Sequence, residues 1–172
     1  MREIPPSYLI AGTFKTDLRK IIREEMLKRK LECKCIRCRE IGFALREKKK
    51  IDKTINLKII IYSASGGKEF FLSFVNKDNV LFGLCRLRIV NKNAIIRELH
   101  VFGSQVEIGE KSEKEKQWQH TGLGKKLMKE AEKIAMDNGC KKIYVISGVG
   151  VRDYYKKIGY RLEKEYMIKK LN

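Results

Sequence analysis

The strongest constraint in this sequence is the stretch Gln119-His120-Thr121-Gly122-Leu123-Gly124, which stands directly before the clearest helical pattern in the chain. After it, apolar residues keep helical spacing as far as Asn138-Gly139, a typical helix end. The first amides of a helix have no intrahelical acceptor and lie at the positive end of the helix dipole, so they attract anions. Two glycines let a bulky phosphate approach them. The stretch predicts a phosphate-binding loop-to-helix junction; the alternative is a helix start with a packing glycine.

The remaining pattern predicts strands around this helix, in an α/β (α+β) fold. Period-two alternation of apolar residues, with turn residues between, predicts four antiparallel strands. They cover residues 53–61, 69–75, 80–90 and 94–102. Three elements follow the glycine-led helix, namely a buried strand over 143–147, a short helix over 151–158 and a strand over 160–171. We expect a mixed, mostly antiparallel central sheet flanked by helices over residues 51–172. Residues 1–50 should form an N-terminal helical, Cys-rich linker segment.

Two ionisable residues stand in the strand predicted over residues 94–102. Strict alternation puts Glu98 and His100 on the same face as the apolar Ile96. Ionisable groups with apolar neighbours often have shifted pKa values, which marks a candidate site. A satisfied core histidine or an ion pair within the sheet is at least as common, and both interpretations stay open.

The charge of the chain indicates a polyanionic partner. Its 39 basic and 21 acidic residues give a net charge of +18, and lysine-rich thermophile surfaces usually balance lysine with glutamate. A basic amphipathic helix is predicted to begin at Asp17, although a merely solvated face is the alternative. We predict RNA binding by seven side chains of this helix and the segment after it: Lys20, Arg23, Lys28, Arg29, Lys30, Arg37 and Arg39.

Cys33, Cys35 and Cys38 place three thiols within six residues. Thiolates at this spacing can share one tetrahedral zinc ion, so the segment predicts either a zinc site or free thiols. The sequence does not choose a fourth ligand among His100, Cys85 and Cys140. Because the chain shows neither an apolar signal core nor a run of 18 apolar residues, we expect a cytoplasmic protein with no membrane contact and with thiols rather than disulfides.

Two motifs resemble GCN5-related N-acetyltransferases, the GNAT family. The stretch Gln119–Gly124 is similar to the family's acyl-CoA pyrophosphate loop, written Arg or Gln-x-x-Gly-x-Gly or Ala. Tyr154-Tyr155-Lys156-Lys157-Ile158-Gly159-Tyr160 is similar to its Phe-Tyr-x-x-x-Gly-Phe signature. The resemblance implies the GNAT fold, acetyl-CoA as the cofactor, and Tyr155 as the proton donor to the leaving thiolate. A phenol with a pKa of about 10 stays protonated at neutral pH and can still donate.

The same resemblance implies the other site residues. The backbone near Leu99 would orient the acetyl group where two strands splay apart, and Glu98 or His100 would act as a base or position water. Tyr154 is also included, although core packing is its simpler interpretation. The implied acetyl-CoA contacts are Leu99, His100, Val101, Gln119, His120, Thr121, Gly122, Leu123, Gly124, Lys125, Tyr154 and Tyr155.

A narrower resemblance is to the tRNA wobble-uridine acetyltransferases, the family of the catalytic subunit of Elongator. It rests on these two motifs and on two segments that the general family does not share, Arg97–Ser104 and Ser147–Arg152. It implies tRNA as a partner, together with a radical S-adenosylmethionine domain that carries an iron-sulfur cluster. This chain lacks that domain, so we expect a truncated chain or a stand-alone relative. Alone, it should bind acetyl-CoA, contact tRNA and at most cleave the thioester towards a 5-carboxymethyl modification.

Two other functions compete with this interpretation. The first is a GNAT protein or histone lysine N-acetyltransferase, which needs a groove and a base for an acceptor amine. A chain of charge +18 should repel a basic histone tail, which argues against it. The second is a non-enzymatic, zinc-stabilised RNA-binding module in which the glycine loop only grips backbone phosphate.

Overall fold

In the part of the chain that the structure describes, residues 17–103 and 122–171, seven strands form a sheet in the order β1-β2-β3-β4-β5-β7-β6. The structure is a computed structural model. The strands are β1 (Asn56–Ala64), β2 (Gly67–Val75), β3 (Leu81–Val90), β4 (Asn93–Val101), β5 (Lys142–Ile146), β6 (Arg161–Glu163) and β7 (Tyr166–Lys170). Neighbours are antiparallel except β4 and β5, which are parallel. This is the expected mixed, mostly antiparallel sheet.

The helices are α1 (Leu18–Lys28), α2 (Ile36–Arg39), α3 (Ile41–Arg46), α4 (Leu123–Asp137) and α5 (Arg152–Lys157), with a 3-10 turn at Val149–Val151. The chain divides into two compact units, residues 1–38 and 39–172. This division precedes the boundary expected after residue 50, because α3 buries Ile41 and Ala44 and so belongs to the second unit. None of the described helices is both long and apolar enough to cross a membrane.

The predicted glycine-led helix is α4, and it packs on one face of the sheet. Its Leu127 and Ala131 are fully buried in the main hydrophobic core. Glu132 of α4 is also buried, and its carboxylate accepts hydrogen bonds from the Tyr160 hydroxyl at 2.9 Å and from Lys169 Nζ at 2.8 Å. Burial, and then the charge of Glu132, raise the pKa of Tyr160. This network joins α4 to the last two strands of the sheet.

The final strand expected over residues 160–171 is two strands, β6 and β7. They form an antiparallel hairpin in which Glu163 pairs with Tyr166, and the turn between them places Lys164 at a φ of 55°. The prediction of one continuous strand was wrong because this turn contains none of the glycine, proline or asparagine residues that usually mark a hairpin.

A β-bulge interrupts β4. Arg86 of β3 pairs with Glu98, but the next residue of β3, Leu87, pairs with Ile96. Arg97 is therefore the extra residue, and the alternation of faces changes at this point. Ile96 lies on the face that packs against α4, whereas Glu98 lies on the opposite face. The expectation that Ile96, Glu98 and His100 share a face was wrong, since strict alternation fails across a bulge.

Strands β4 and β5 separate soon after they meet. Their pairing covers only Ala94–Ile96 against Ile143–Val145, whereas β4 continues beside β3 as far as Val101. The parallel strands therefore splay apart beyond Ile96 and Val145. We call the gap between them the notch.

Candidate active site

The first turn of α4 begins at a glycine in the left-handed region. Gly122 has a φ of 71°, and a Cβ added there would meet no atom within 4 Å among the described residues. The first intrahelical bond runs from the Lys126 amide to the Gly122 carbonyl at 3.0 Å, so the amides of Leu123, Gly124 and Lys125 precede it. The predicted contacts Gln119, His120 and Thr121 lie outside the described residues.

Gly124 is where three elements meet. A Cβ at Gly124 would lie 2.8 Å from the hydroxyl oxygen of Tyr154 and 3.5 Å from Cγ2 of Val101. The start of α4, the end of β4 and α5 therefore converge at this residue. By register, Leu99 faces the same side of the sheet as Val101, because it pairs with the fully buried Cys85. Five of the predicted residues are thus brought together in the structure: Leu99, Val101, Gly124, Tyr154 and Tyr155.

Three polar atoms of the segment from the end of β5 to α5 are buried without a hydrogen-bond partner among the described residues. They are Ser147 Oγ, Arg152 Nε and the Tyr154 hydroxyl. Unsatisfied buried groups of this kind are rare and call for an explanation. Of the three, the Tyr154 hydroxyl lies beside Gly124 at the start of α4, where a bound ligand would supply a partner. Ser147 and Arg152 were not among the predicted contacts, although both lie in the segment that carried the narrower resemblance.

Tyr155 is a core residue with its ring between two other tyrosines. It is 7% exposed, and its ring centroid lies 5.2 Å from that of Tyr154 and 5.8 Å from that of Tyr160. Burial, and then the charges that Tyr154 and Cys85 can carry, raise the pKa of Tyr155 to about 12. The phenol is therefore fully protonated at neutral pH, as a proton donor must be.

Glu98 and His100 are more exposed than the sequence suggested. Glu98 Oε2 lies 3.6 Å from Arg86 Nη1, and the Glu98 side chain is 41% exposed. His100 is exposed, and its ring lies 4.4 Å from that of Phe102. By register, both side chains point to the face opposite Leu99. They do not lie among the buried apolar side chains that were expected around them.

The sulfur atoms of Cys33, Cys35 and Cys38 lie within 4.8 Å of one another. Among the described residues, these three side chains are the cluster that could hold a metal ion. Sulfur ligands of a tetrahedral zinc are about 3.8 Å apart, since each Zn–S bond is about 2.3 Å, so this donor set fits zinc. A hydrogen bond from the Cys38 backbone is the main cause that lowers the pKa of Cys35 to about 7. Burial raises that of Cys38 to about 11. The candidate fourth ligands Cys85 and Cys140 are instead buried core residues.

The predicted RNA-binding side chains differ in their surroundings. Arg29 pairs with Glu25 at 2.9 Å, and Lys28 lies 3.9 Å from the same carboxylate. Arg39 is half-buried and donates to the carbonyl and side-chain oxygens of Asn79 at 3.0 and 2.7 Å, so it holds the β2–β3 turn. The exposed members of the set are Lys20, Arg23, Lys28, Arg29, Lys30 and Arg37.

Comparison with known proteins relates this architecture to one family. The sequence profile described as "Acetyltransferase (GNAT) family" matches residues 37–160. The chain is 42% identical to the tRNA uridine(34) acetyltransferase of Methanocaldococcus infernus, over 99% of this chain and 34% of that protein. It is 40% identical to human Elongator complex protein 3, over 99% of this chain and 33% of that protein. The chain therefore spans about a third of the length of these relatives.

A solved structure agrees with these sequence matches. The archaeal Methanocaldococcus infernus Elp3 with a deletion of residues 1–46 superposes with a TM-score of 0.83 at 42% identity. The match covers 99% of this chain and 43% of that one. The arrangement of seven strands and flanking helices is thus the same in both.

Proposed function

The chain belongs to the acetyltransferase (GNAT) family, and on this premise we propose that it binds acetyl-CoA in the notch, as the acetyltransferase domain of an enzyme that modifies the wobble uridine of tRNA. The observation that carries the proposal is the buried Tyr154 hydroxyl beside Gly124, at the start of α4, which has no hydrogen-bond partner in the part of the chain that the structure describes. A buried hydroxyl without a partner is costly, and a bound ligand would supply one.

The proposed roles follow from position. The first amides of α4, with Gln119, His120 and Thr121 before them, would hold the pyrophosphate. The backbone near Leu99 would orient the acetyl group. Tyr155 would donate a proton to the leaving thiolate, since its phenol keeps its proton at neutral pH. Glu98 or His100 would position water or act as a base on the opposite face of β4.

The tRNA part of the proposal has separate support. The relatives include proteins named tRNA uridine(34) acetyltransferase, and the chain has a net charge of +18. The narrower resemblance implies that completion of the modification would require a radical S-adenosylmethionine domain with an iron-sulfur cluster. This chain would contribute acetyl-CoA binding, tRNA contact and thioester cleavage. A cytoplasmic location fits a tRNA substrate.

A zinc ion held by Cys33, Cys35 and Cys38 is a further part of the proposal, since the donor set fits that metal. Its role would be structural. Zinc bound by thiolates stabilises small segments that have little apolar core, and no residue of α1 is buried.

Calorimetry with acetyl-CoA tests the cofactor site. Gly122 and Gly139 stand before and after α4 with φ values of 71° and 75°, and a Cβ at either position meets no atom of the described residues within 4 Å. Asparagine tolerates this backbone region, so Gly122→Asn and Gly139→Asn are a matched pair. We expect Gly122→Asn to weaken acetyl-CoA binding at least tenfold and Gly139→Asn to leave it unchanged.

Equal affinity in both variants would contradict the proposed site. A second assay mixes the chain with labelled acetyl-CoA and either tRNA or basic peptides. Thioester cleavage that depends on tRNA is the expected result, whereas stable label on peptide lysines would favour a protein acetyltransferase.

A further inference from the structure

The second half of the sheet has a face that is turned away from α4. On the α4 side, Ile143 and Met167 are fully buried. Their neighbours along β5 and β7 point the other way, and paired residues share a face, so the register defines this second surface. It contains the pairs Lys142–Lys170, Tyr144–Ile168 and Ile168–Arg161, together with Tyr166. We call these six residues the tyrosine face.

Two aromatic rings stand at the centre of this surface. Tyr144 and Tyr166 are half-buried, with ring centroids 6.1 Å apart and planes at 85°. An edge-to-face pair leaves at least one flat ring surface uncovered. Ile168 pairs with Tyr144 and follows Tyr166 by two residues on the same face, and it is only 8% exposed, so it supplies apolar surface beside both rings. The surface therefore offers what a planar, aromatic ligand needs for stacking.

The charges around the rings are mostly positive. Lys142, Lys170 and Arg161 surround the tyrosines, whereas Glu163 is the acidic residue that shares their face by register. Lys170 and Arg161 are exposed. Aromatic rings on a sheet, with basic side chains around them, suit single-stranded RNA, whose bases stack and whose phosphates need cations. A peptide partner without acidic groups would leave the three cations unpaired.

The position of the tyrosine face links it to the notch. Tyr144 stands beside Ile95, one step before β4 and β5 separate, and Ile146 is the last residue of β5. Ile146 projects to the same side as Tyr144 and is 69% exposed. An RNA strand that crosses the tyrosine face would therefore pass the mouth of the notch. A base that leaves the stack at this point could reach the acetyl group of acetyl-CoA bound in the notch.

We propose that the tyrosine face binds the single-stranded nucleotides next to the acceptor uridine, with bases stacked on Tyr144 and Tyr166 and phosphates held by Lys142, Lys170 and Arg161. This inference rests on the proposed function, because it assumes that the acceptor is RNA. It assigns substrate recognition to a surface that neither the loop before α4 nor the basic helix α1 includes.

Fluorescence anisotropy with two RNAs tests the proposal. One is a stem-loop with a seven-nucleotide single-stranded loop that contains uridine, and the other is a duplex of the same length. Tyr144→Leu and Tyr166→Leu keep apolar bulk but remove the stacking surface. Tyr62→Leu, at a 42% exposed tyrosine of β1 at the far edge of the sheet, is the matched control. Each of the first two variants should weaken stem-loop binding roughly 5- to 100-fold.

Three further results complete the test. Duplex affinity and the thermal shift with acetyl-CoA should not change in either tyrosine variant, which excludes a folding defect. The surface pair Lys142→Glu and Lys170→Glu should weaken stem-loop binding as well. If Tyr144→Leu and Tyr166→Leu bind the stem-loop as tightly as the unaltered chain, the tyrosine face is not the RNA site. If the unaltered chain binds no RNA but binds acetyl-CoA, the tRNA part of the proposed function fails as well.

Discussion

The hydroxyl oxygen of Tyr154 occupies the space that a side chain at Gly124 would need, since an added Cβ would lie 2.8 Å away from it. The two residues belong to different helices, α5 and α4. The tip of the Tyr154 side chain therefore fills the space beside Gly124 near the start of α4. It also explains why this chain has glycine at a position where the family pattern accepts either glycine or alanine.

This contact predicts that Gly124→Ala displaces the Tyr154 ring and costs about 1–3 kcal/mol in the free energy of unfolding. Tyr154→Phe removes the clashing oxygen, so the double variant should recover most of the lost stability. Denaturant unfolding of the four proteins measures the coupling. Independent, additive losses would show that the two side chains do not meet.

Tyr155→Phe should lower thioester cleavage about 10²- to 10⁴-fold while acetyl-CoA affinity stays within a factor of two, because the hydroxyl acts only on the leaving group. The pKa of Tyr155 is raised to about 12, so the donor stays protonated and its contribution should not fall between pH 7 and 10. Steady-state kinetics over this range checks both statements.

Tyr160→Phe is the control for this variant, since it removes a nearby hydroxyl that donates to Glu132. It should reduce stability by about 1–3 kcal/mol and leave the cleavage rate of the folded protein unchanged. An equal loss of rate in both variants would mean that Tyr155 acts only through packing.

Glu69 should make the fold sensitive to acid. Its carboxylate is 2% exposed, and its Oε1 accepts from Arg88 at 2.7 Å and from Arg97 at 3.0 Å. Burial alone would raise the pKa of Glu69, but the two arginine hydrogen bonds outweigh it and the pKa falls below 4.5. A lowered pKa in the folded state contributes stability above the unfolded pKa and loses it as pH falls through the folded pKa.

Glu69→Gln should therefore cost about 2 kcal/mol at pH 7, and the difference from the unaltered chain should shrink below about pH 4.5. Urea unfolding at several pH values measures this. Glu98→Gln is the control, because its 41% exposed carboxylate lies 3.6 Å from Arg86 and should contribute less than about 1 kcal/mol. A Glu69 effect that does not change with pH would contradict the ionic explanation.

The cysteine cluster predicts about one zinc ion per chain by elemental mass spectrometry. Serine at Cys33, Cys35 or Cys38 should remove the metal and lower the melting temperature of the first unit. Cys140→Ala should keep the zinc, because Cys140 is a buried core thiol. Purified chain without zinc, but with three thiols that react with a thiol reagent, would favour free cysteines.

Arg37 and Arg39 should behave differently although both were predicted to bind RNA. Arg37 is exposed, so Arg37→Ala should weaken RNA binding without loss of stability. The slope of the logarithm of the RNA-binding constant against the logarithm of salt concentration should become shallower by roughly 0.7. Arg39→Ala should destabilise the β2–β3 turn, since two hydrogen bonds to Asn79 are lost. Anisotropy titrations at several salt concentrations, with melting curves, separate the two effects.

Local patterns in the sequence predicted the elements that depend on local spacing. The extent of α4 followed from its apolar spacing and from Asn138-Gly139, and the first hairpins followed from their turn residues. The bulge at Arg97 could not be predicted, because it depends on the register with β3. The turn at Lys164 could not be predicted for a different reason. Lysine there adopts a positive φ, a backbone conformation that glycine usually adopts.

The site residues that stand in sequence motifs could be predicted. Those that are defined by tertiary contacts could not. Gly122 and Tyr155 stand in patterns that can be read along the chain. The close approach of the Tyr154 hydroxyl to Gly124 depends on how α5 packs beside α4. So does the burial of Ser147 Oγ and Arg152 Nε without hydrogen-bond partners among the described residues. The tyrosine face depends on the pairing of β5 with β7, so no single segment shows it.

The extra residue in β4 decides which side chains at the end of this strand face α4. Without the bulge, Arg97 would pair with Arg86 and Glu98 with Cys85, so Glu98 and His100 would turn towards α4 while Leu99 would turn away. Deletion of Arg97 removes only the extra residue, so Glu98 would stay opposite Arg86 and Leu99 opposite Cys85. In proteins that share this domain, an alignment gap at position 97 should therefore leave the faces of the residues that follow unchanged.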